Sequence, residues 1–176
     1  MRWDHLDGLR IESARVRDAL PVLGLHRDIL AEREWFITLP DEFAAGLDAV
    51  GSRIGLYDAS DNSLFLVARL PGVQVAGFLV VHGGHLSRMR HTGKLEVMVA
   101  RAHRGRGVGR ALLAACLEWA RASPVLEKLG LSVFASNVRA LALYQEHGFV
   151  EEGRRPREYR MTDGTYRDDV LMYTLV

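Results

Sequence analysis

The clearest chemical signal in this 176-residue chain is the run Arg104-Gly105-Arg106-Gly107-Val108-Gly109. It separates an apolar, strand-like stretch (residues 95–100) from a segment with an apolar helical face (residues 108–121). A glycine-rich turn that ends a strand and opens a helix is suited to holding phosphate. The first helical amides lack internal partners, and the helix dipole adds about half a positive charge there. Gly107 and Gly109 carry no Cβ, so an anion can approach the backbone, and the amides from Arg104 to Arg110 point toward it. The side chains of Arg104 and Arg106 either add charge-assisted contacts or form a solvated basic turn. A second candidate is Glu96, which interrupts the apolar run Leu95-Glu96-Val97-Met98-Val99. A carboxylate in such a strand is costly unless it is solvated, paired or used. Desolvation would raise its pKa toward a value useful to a general base; the alternative is an ion pair with one of the many arginines.

The elements that position these residues follow from periodicity. Residues 9–16 predict a strand, 20–32 a helix with Pro21 in its first turn, and Thr38-Leu39-Pro40-Asp41 a capping box opening a short helix to about residue 50. Three strands follow, at 63–70, 73–81 and 95–100, in an antiparallel meander turned by Pro71-Gly72 and broken by Gly83-Gly84. After the helix at 108–121 come a strand at 129–135, a helix opened by Asn137 and closed by Gly148, and two strands, 149–161 and 166–176, joined at Asp163-Gly164. The order β-α-α-β-β-β-α-β-α-β-β describes a mixed α/β sheet in one domain, residues 1–176. In the strand at 95–100, alternation sets Glu96, Met98 and Ala100 on one face and Leu95, Val97 and Val99 on the other.

Bulk properties narrow the function classes. The formal net charge of +1 gives no field that argues for nucleic acid or membrane binding. No apolar run approaches a membrane span, and the start lacks a signal-peptide pattern, so a cytoplasmic protein is expected. The one cysteine, Cys116, excludes an intramolecular disulfide and falls on an apolar helix face. His82, His85 and His91 lie in or beside a glycine-broken connector without a nearby cysteine or carboxylate cluster, so they read as surface histidines and no metal site is expected.

Three phosphate motifs compete for the glycine turn. A P-loop fails because Arg110-Ala111 stands where Lys-Ser/Thr is needed, and a dinucleotide fingerprint fails on spacing. The pattern Arg/Gln-x-x-Gly-x-Gly/Ala is met by Arg104, Gly107 and Gly109. A second block follows downstream: Ser132-Val133-Phe134-Ala135-Ser136-Asn137, then a helix carrying Tyr144, then Gly148-Phe149. With these two blocks, over residues 95–150, the chain resembles the GNAT family of N-acetyltransferases.

The resemblance implies an acyl-CoA N-acyltransferase fold and acetyl-CoA as cosubstrate, with no metal. It implies that the strand at 95–100 splays from the strand at 129–135. The pantetheine arm would lie in the split, on backbone groups of Val97, Met98 and Val99, with the pyrophosphate on the loop of Arg104, Gly105, Arg106, Gly107, Val108, Gly109 and Arg110. A strand N–H would polarise the thioester carbonyl and steady the developing oxyanion. Asn137 would bond the pantetheine amide, cap the following helix, or both. Tyr144, seven residues on and on the same helix face, matches a tyrosine that protonates the leaving thiolate; the alternative is a core tyrosine beside Leu141. Glu96, directly or through a water, would take the proton of the attacking amine.

The implied acceptor is a primary amine, small or amino-acid-like. Ser132 replaces a carboxylate common in ribosomal-protein enzymes, and the ending Asp163-Gly164-x-Tyr166-x-Asp168 resembles small-amine enzymes. Its pocket is expected among the N-terminal helices, Trp35-Phe36 and the last hairpin. A peptide N-terminal acetyltransferase, a non-catalytic acyl-CoA module and a nucleic-acid binder using Arg104 to Gly107 are the rivals. Homodimers are common in the resembled family.

Overall fold

The computed structural model describes residues 1–4 and 8–176. Strands β1 (Arg2–Asp4) and β2 (Arg10–Ser13) precede helices α1 (Ala19–Ala31) and α2 (Leu47–Asp58). Then come β3 (Leu64–Leu70), β4 (Val73–Gly83), β5 (Thr92–Val99), α3 (Val108–Ala122), β6 (Lys128–Phe134), α4 (Val138–Glu146), β7 (Val150–Arg160) and β8 (Tyr166–Leu175). The eight strands form one sheet in the order β1-β2-β3-β4-β5-β6-β8-β7. Every neighbouring pair is antiparallel except β5–β6, which is parallel. The expected mixed α/β sheet is present, with one short edge strand, β1, that the sequence pattern did not announce.

Each face of the sheet carries its own core. Leu79, Val81, Leu95 and Leu129 meet the apolar stripe of α3, including the fully buried Leu112, Leu113 and Cys116. Phe78, Val80 and Met98 meet α1 and α2 through Val22, Ile29, Val50 and Ile54. This explains why β4 reads as a continuous apolar run: both its faces are covered. Burial pushes the Cys116 thiol above its ordinary range, consistent with a core residue.

The second helix departs from expectation. Residues 40–42 form a turn, 43–46 are irregular, and the helix runs from Leu47 to Asp58. The apparent capping box closes on itself: Leu39 N–H donates to Glu42 Oε2 at 2.9 Å and Glu42 N–H to Leu39 O at 3.0 Å. Gly51 and Gly55 made residues 47–58 look unlike a helix. Gly51 is used for close packing, since a Cβ there would sit 3.6 Å from Val16 and 3.8 Å from Ala19. Gly83 and Gly84 do not end β4 by flexibility. Gly83 leaves room for the buried Asn62, which a Cβ there would meet at 2.3 Å, and Gly84, whose O accepts Asn62 Nδ2, leaves room for Met89 O, which a Cβ would meet at 2.2 Å.

At the far edge, β7 tolerates Pro156 because it has a neighbour on one side only. The strand bulges there, with Arg157 at φ 56° and its N–H donating to Asp168 Oδ1 at 2.8 Å. The predicted turn at Asp163-Gly164 is present, with Gly164 at φ 82°.

Candidate active site

The parallel pairing of β5 with β6 covers only Thr92 to Lys94 against Lys128 to Gly130. Beyond Lys94 the two strands part, as expected. Ala100 N–H donates to Ala76 O on the β4 side. In an antiparallel ladder the direction alternates, so Met98 and Glu96 also turn their backbone groups to β4. Val97 and Val99 turn theirs into the gap. Met98 therefore departs from expectation as a backbone ligand: its N–H and C=O face Phe78, its register partner. In the gap, Val99 O already accepts Arg104 Nε at 3.0 Å. Among the described residues, the open groups are the Val97 N–H and C=O and the Val99 N–H.

At the end of this gap the glycine loop enters α3. Gly105 and Gly107 have φ 78° and 81°, the left-handed region that favours glycine. The first helical bond is Ala111 N–H to Gly107 O at 2.9 Å, and no side chain caps the helix. The amides of residues 105–110 thus make no backbone hydrogen bond among the described residues and form a donor set at the start of the helix. A Cβ on Gly107 would meet nothing within 4 Å, so this backbone is open. Gly109 has a different reason: a Cβ there would lie 3.4 Å from Leu143 and 3.7 Å from Val99, so glycine lets α3 approach α4 and β5.

The arginines of the loop are mostly committed elsewhere. Arg104 grips Glu32 at the end of α1 with two contacts of 2.7 Å, in addition to its bond to Val99 O. The guanidinium thus ties the loop to α1, an engagement that neither a free phosphate contact nor a solvated basic turn describes. Arg110 pairs with Glu146 on α4 at 2.6 Å. Arg106 is exposed, and its one polar side-chain contact among the described residues is with His103, at 3.5 Å. Sequence reading missed Arg139. Its Nη2 lies 3.4 Å from where a Gly105 Cβ would be, and it has no ion-pair partner among the described residues. The available signal was its place in the first turn after Asn137.

Of the two expected roles, the helix cap is seen: Asn137 Oδ1 caps α4 by accepting Ala140 N–H at 3.1 Å, and its Nδ2 protons have no acceptor among the described residues. Tyr144 packs its ring 5.8 Å from Phe149, while its hydroxyl has no hydrogen-bond partner among the described residues. Burial, and then the Glu96 charge, push that phenol up to about 12. It is therefore a held proton donor rather than a strong acid.

Glu96 lies on the α1/α2 face with its side chain half exposed. The expected rise in its pKa is not found. His82 Nε2 sits 3.6 Å from Glu96 Oε1, and this contact holds the carboxyl below its ordinary range against the opposing effect of burial. His82 is thus no bystander on the surface, unlike the exposed His85 and His91. Its Nδ1 lies 2.7 Å from the Tyr57 hydroxyl, making a chain Tyr57–His82–Glu96 that joins α2 to β4 and β5. His26 on α1, its ring 4.3 Å from Phe43, completes this side; burial lowers its pKa. The common signal was strand alternation, which places His82 on the same face as Phe78 and Val80.

A sequence profile of the acetyltransferase (GNAT) family matches residues 30–149, which includes β5, the glycine loop and α4. The chain belongs to the GNAT acetyltransferase family. It is 32% identical over 90 residues to spermidine N(1)-acetyltransferase of Vibrio cholerae, covering 51% of each chain. It is 30% identical over 111 residues to the L-amino acid N-acetyltransferase AaaT of Escherichia coli, covering 61% of this chain and 65% of that protein. The chain thus spans about half to two thirds of these relatives' length. Among solved structures, a GNAT acetyltransferase from Streptococcus pneumoniae superposes with a TM-score of 0.89 at 31% identity, covering 96% of this chain and 99% of that one. Among the described residues, no helix is long and apolar enough to cross a membrane.

Proposed function

We infer that this protein is an N-acetyltransferase that moves acetyl from acetyl-CoA directly to a primary amine, with a small or amino-acid-like acceptor. One observation carries this reading. The unpaired backbone groups of Val97 and Val99 run toward the free amides of residues 105–110, with Glu96 on the same strand and Tyr144 packed on the same core cluster as Val97 and Val99.

The residues present fit the cosubstrate, which supplies an acetyl thioester. The amides of residues 105–110 and the guanidinium of Arg139 hold its pyrophosphate end. Asn137 Nδ2 and the open groups of Val97 and Val99 hold its arm. A strand N–H donates to the carbonyl oxygen under attack, where charge develops in a poorly solvated cleft. Glu96 stays ionised at neutral pH and orients the amine, taking its proton directly or through a water. Tyr144 presents its proton to the departing sulfur. A phenol near 12 gives up a proton to a thiolate of ordinary pKa about 8.5 only with difficulty, so its first contribution is a hydrogen bond that strengthens as sulfur gains charge.

The protein acts on a soluble small molecule in the cytoplasm, without metal, and a homodimer fits the family pattern. The test is thiol release from acetyl-CoA across amino acids, polyamines, aminoglycosides and peptide N-termini. Release that depends on one class of amine supports the reading. Tight acetyl-CoA binding with no release across the panel would instead identify a binding module.

A further inference from the structure

Glu96 is a long, half-exposed side chain, and a base works only when one of its oxygens is held toward the proton it takes. The contacts around it supply that restraint. In the β4–β5 ladder Glu96 pairs with Val80, and His82 pairs with Lys94, so His82 and Glu96 are diagonal neighbours on one face. Diagonal neighbours stand about 7–8 Å apart at the backbone, a span that long side chains close. Here they meet with His82 Nε2 3.6 Å from Glu96 Oε1. Among the described residues Glu96 has no other side-chain ion pair or hydrogen bond, which leaves Oε2 uncommitted. On the far side of the imidazole, the Tyr57 hydroxyl lies 2.7 Å from Nδ1, and the two rings meet edge-on at 5.8 Å and 81°. Tyr57 stands in the last turn of α2, so a helix, through a histidine on β4, reaches the carboxylate on β5.

The donors and acceptors set the direction of this chain. A carboxylate only accepts, so the ring nitrogen that faces it carries the hydrogen. A neutral imidazole then has its lone pair at Nδ1, and the phenol donates there. Tyr57 suits that task, because burial pushes its phenol above the ordinary range and it keeps its proton. Without the phenol the imidazole is free to take the other tautomer, which turns a lone pair on the carboxylate. The 3.6 Å contact is an ion-pair distance rather than a short hydrogen bond. It aims Oε1 at the ring without covering the second oxygen.

We propose that Tyr57 and His82 are positioning residues for the transfer: Tyr57 fixes the histidine tautomer, and His82 holds Glu96 Oε1 so that Oε2 meets the incoming amine. This rests on the transferase reading above, with Glu96 as the base. It has the form of a base oriented by a second group, which a third group orients in turn. Neither positioning residue is assigned a contact with the donor, so acetyl-CoA binding is the natural control.

The experiment measures kcat by thiol release from acetyl-CoA, with whichever amino acid, polyamine, aminoglycoside or peptide gives the fastest release. Asparagine places its amide only where Nδ1 stood, whereas glutamine reaches the position of Nε2 and donates from it. His82→Asn should therefore lower kcat roughly 10- to 100-fold, and His82→Gln should retain most of the parent rate. Tyr57→Phe should lower kcat by a smaller factor, and should have no further effect in the His82→Gln background, where there is no tautomer to fix. The acetyl-CoA Kd should stay within about twofold of the parent throughout, as the control for folding. The decisive readout is a double-mutant cycle in kcat. In a Glu96→Gln background, His82→Asn should cost less than about twofold, because no base is left to aim. An equal loss in both backgrounds marks a purely structural link and overturns the proposal. So does an unchanged kcat in His82→Asn or in Tyr57→Phe, or a loss confined to KM; each of these leaves the transferase reading standing. A Glu96→Gln enzyme as fast as the parent, or no thiol release by the parent with any amine, overturns the reading on which the proposal rests.

Discussion

Arg104 gives the sharpest quantitative test, because the sequence motif and the structure assign its side chain to different partners. The motif suggests a phosphate contact, whereas the structure shows a latch onto Glu32 and Val99 O. Glu32 caps the C-terminal end of α1, where the helix dipole disfavours an anion, and its side chain is only 13% exposed. Arg104→Ala leaves that carboxylate mostly buried and unpaired, with the Val99 carbonyl released. The cost is about 2–4 kcal/mol, below the full penalty of a buried pair because Arg104 itself is 25% exposed. For a chain of this size that lowers Tm by roughly 4–16 °C. The informative assay is a double-mutant cycle with Glu32→Ala, read by urea unfolding and by acetyl-CoA titration. A latch predicts a coupling of about 1.5–2 kcal/mol in stability, and an affinity loss in Arg104→Ala that is largely shared by Glu32→Ala. Coupling below about 0.5 kcal/mol, with Arg104→Ala weakening acetyl-CoA equally in both backgrounds, would refute the latch and return the guanidinium to the phosphate.

Other expectations follow from the same geometry. Tyr144→Phe should lower kcat by roughly 10- to 100-fold with little change in Tm or in the acetyl-CoA Kd, checked by steady-state kinetics and calorimetry. Glu96 is held below its ordinary 4.5 in the folded state, so the folded protein binds fewer protons than the unfolded chain near that pH. Its contribution to stability is present above about pH 4.5 and is lost as pH falls through the folded value; His82→Asn should flatten this dependence in acid unfolding curves. Gly107→Ala places a side chain at φ 81° and should cost about 1–2 kcal/mol by urea unfolding, although nothing within 4 Å would clash with the new Cβ. Arg139→Ala should weaken acetyl-CoA about tenfold at low salt and less at high salt, as measured by calorimetric titration.

Much of this fold was legible because its elements are locally consistent. β4, β5 and α3 combine strong periodicity with glycine and proline punctuation, and their boundaries emerged within a few residues. α2 was misplaced because its helix depends on tertiary packing. Gly51 is unfavourable in an isolated helix but allows the approach to Val16 and Ala19. β1 is three residues long and is a strand only through its pairing with β2. The site shows the same division. Backbone features such as the glycine turn, the parted strands and the Asn137 cap follow from short-range pattern. Side-chain partnerships do not: Glu32 meets Arg104, and Tyr57 meets His82, across intervals that no local rule spans. That is why Glu96 was expected to be raised by burial, when a histidine on the adjacent strand holds it down.

The claim that the open edge of β5 and the loop before α3 hold the donor is tested most directly by hydrogen exchange with and without acetyl-CoA. Protection should appear in peptides covering residues 97–99 and 104–110, with a smaller change at 137–139, and none along β7. Protection confined to other segments, with residues 97–110 unchanged at saturating acetyl-CoA, would contradict it.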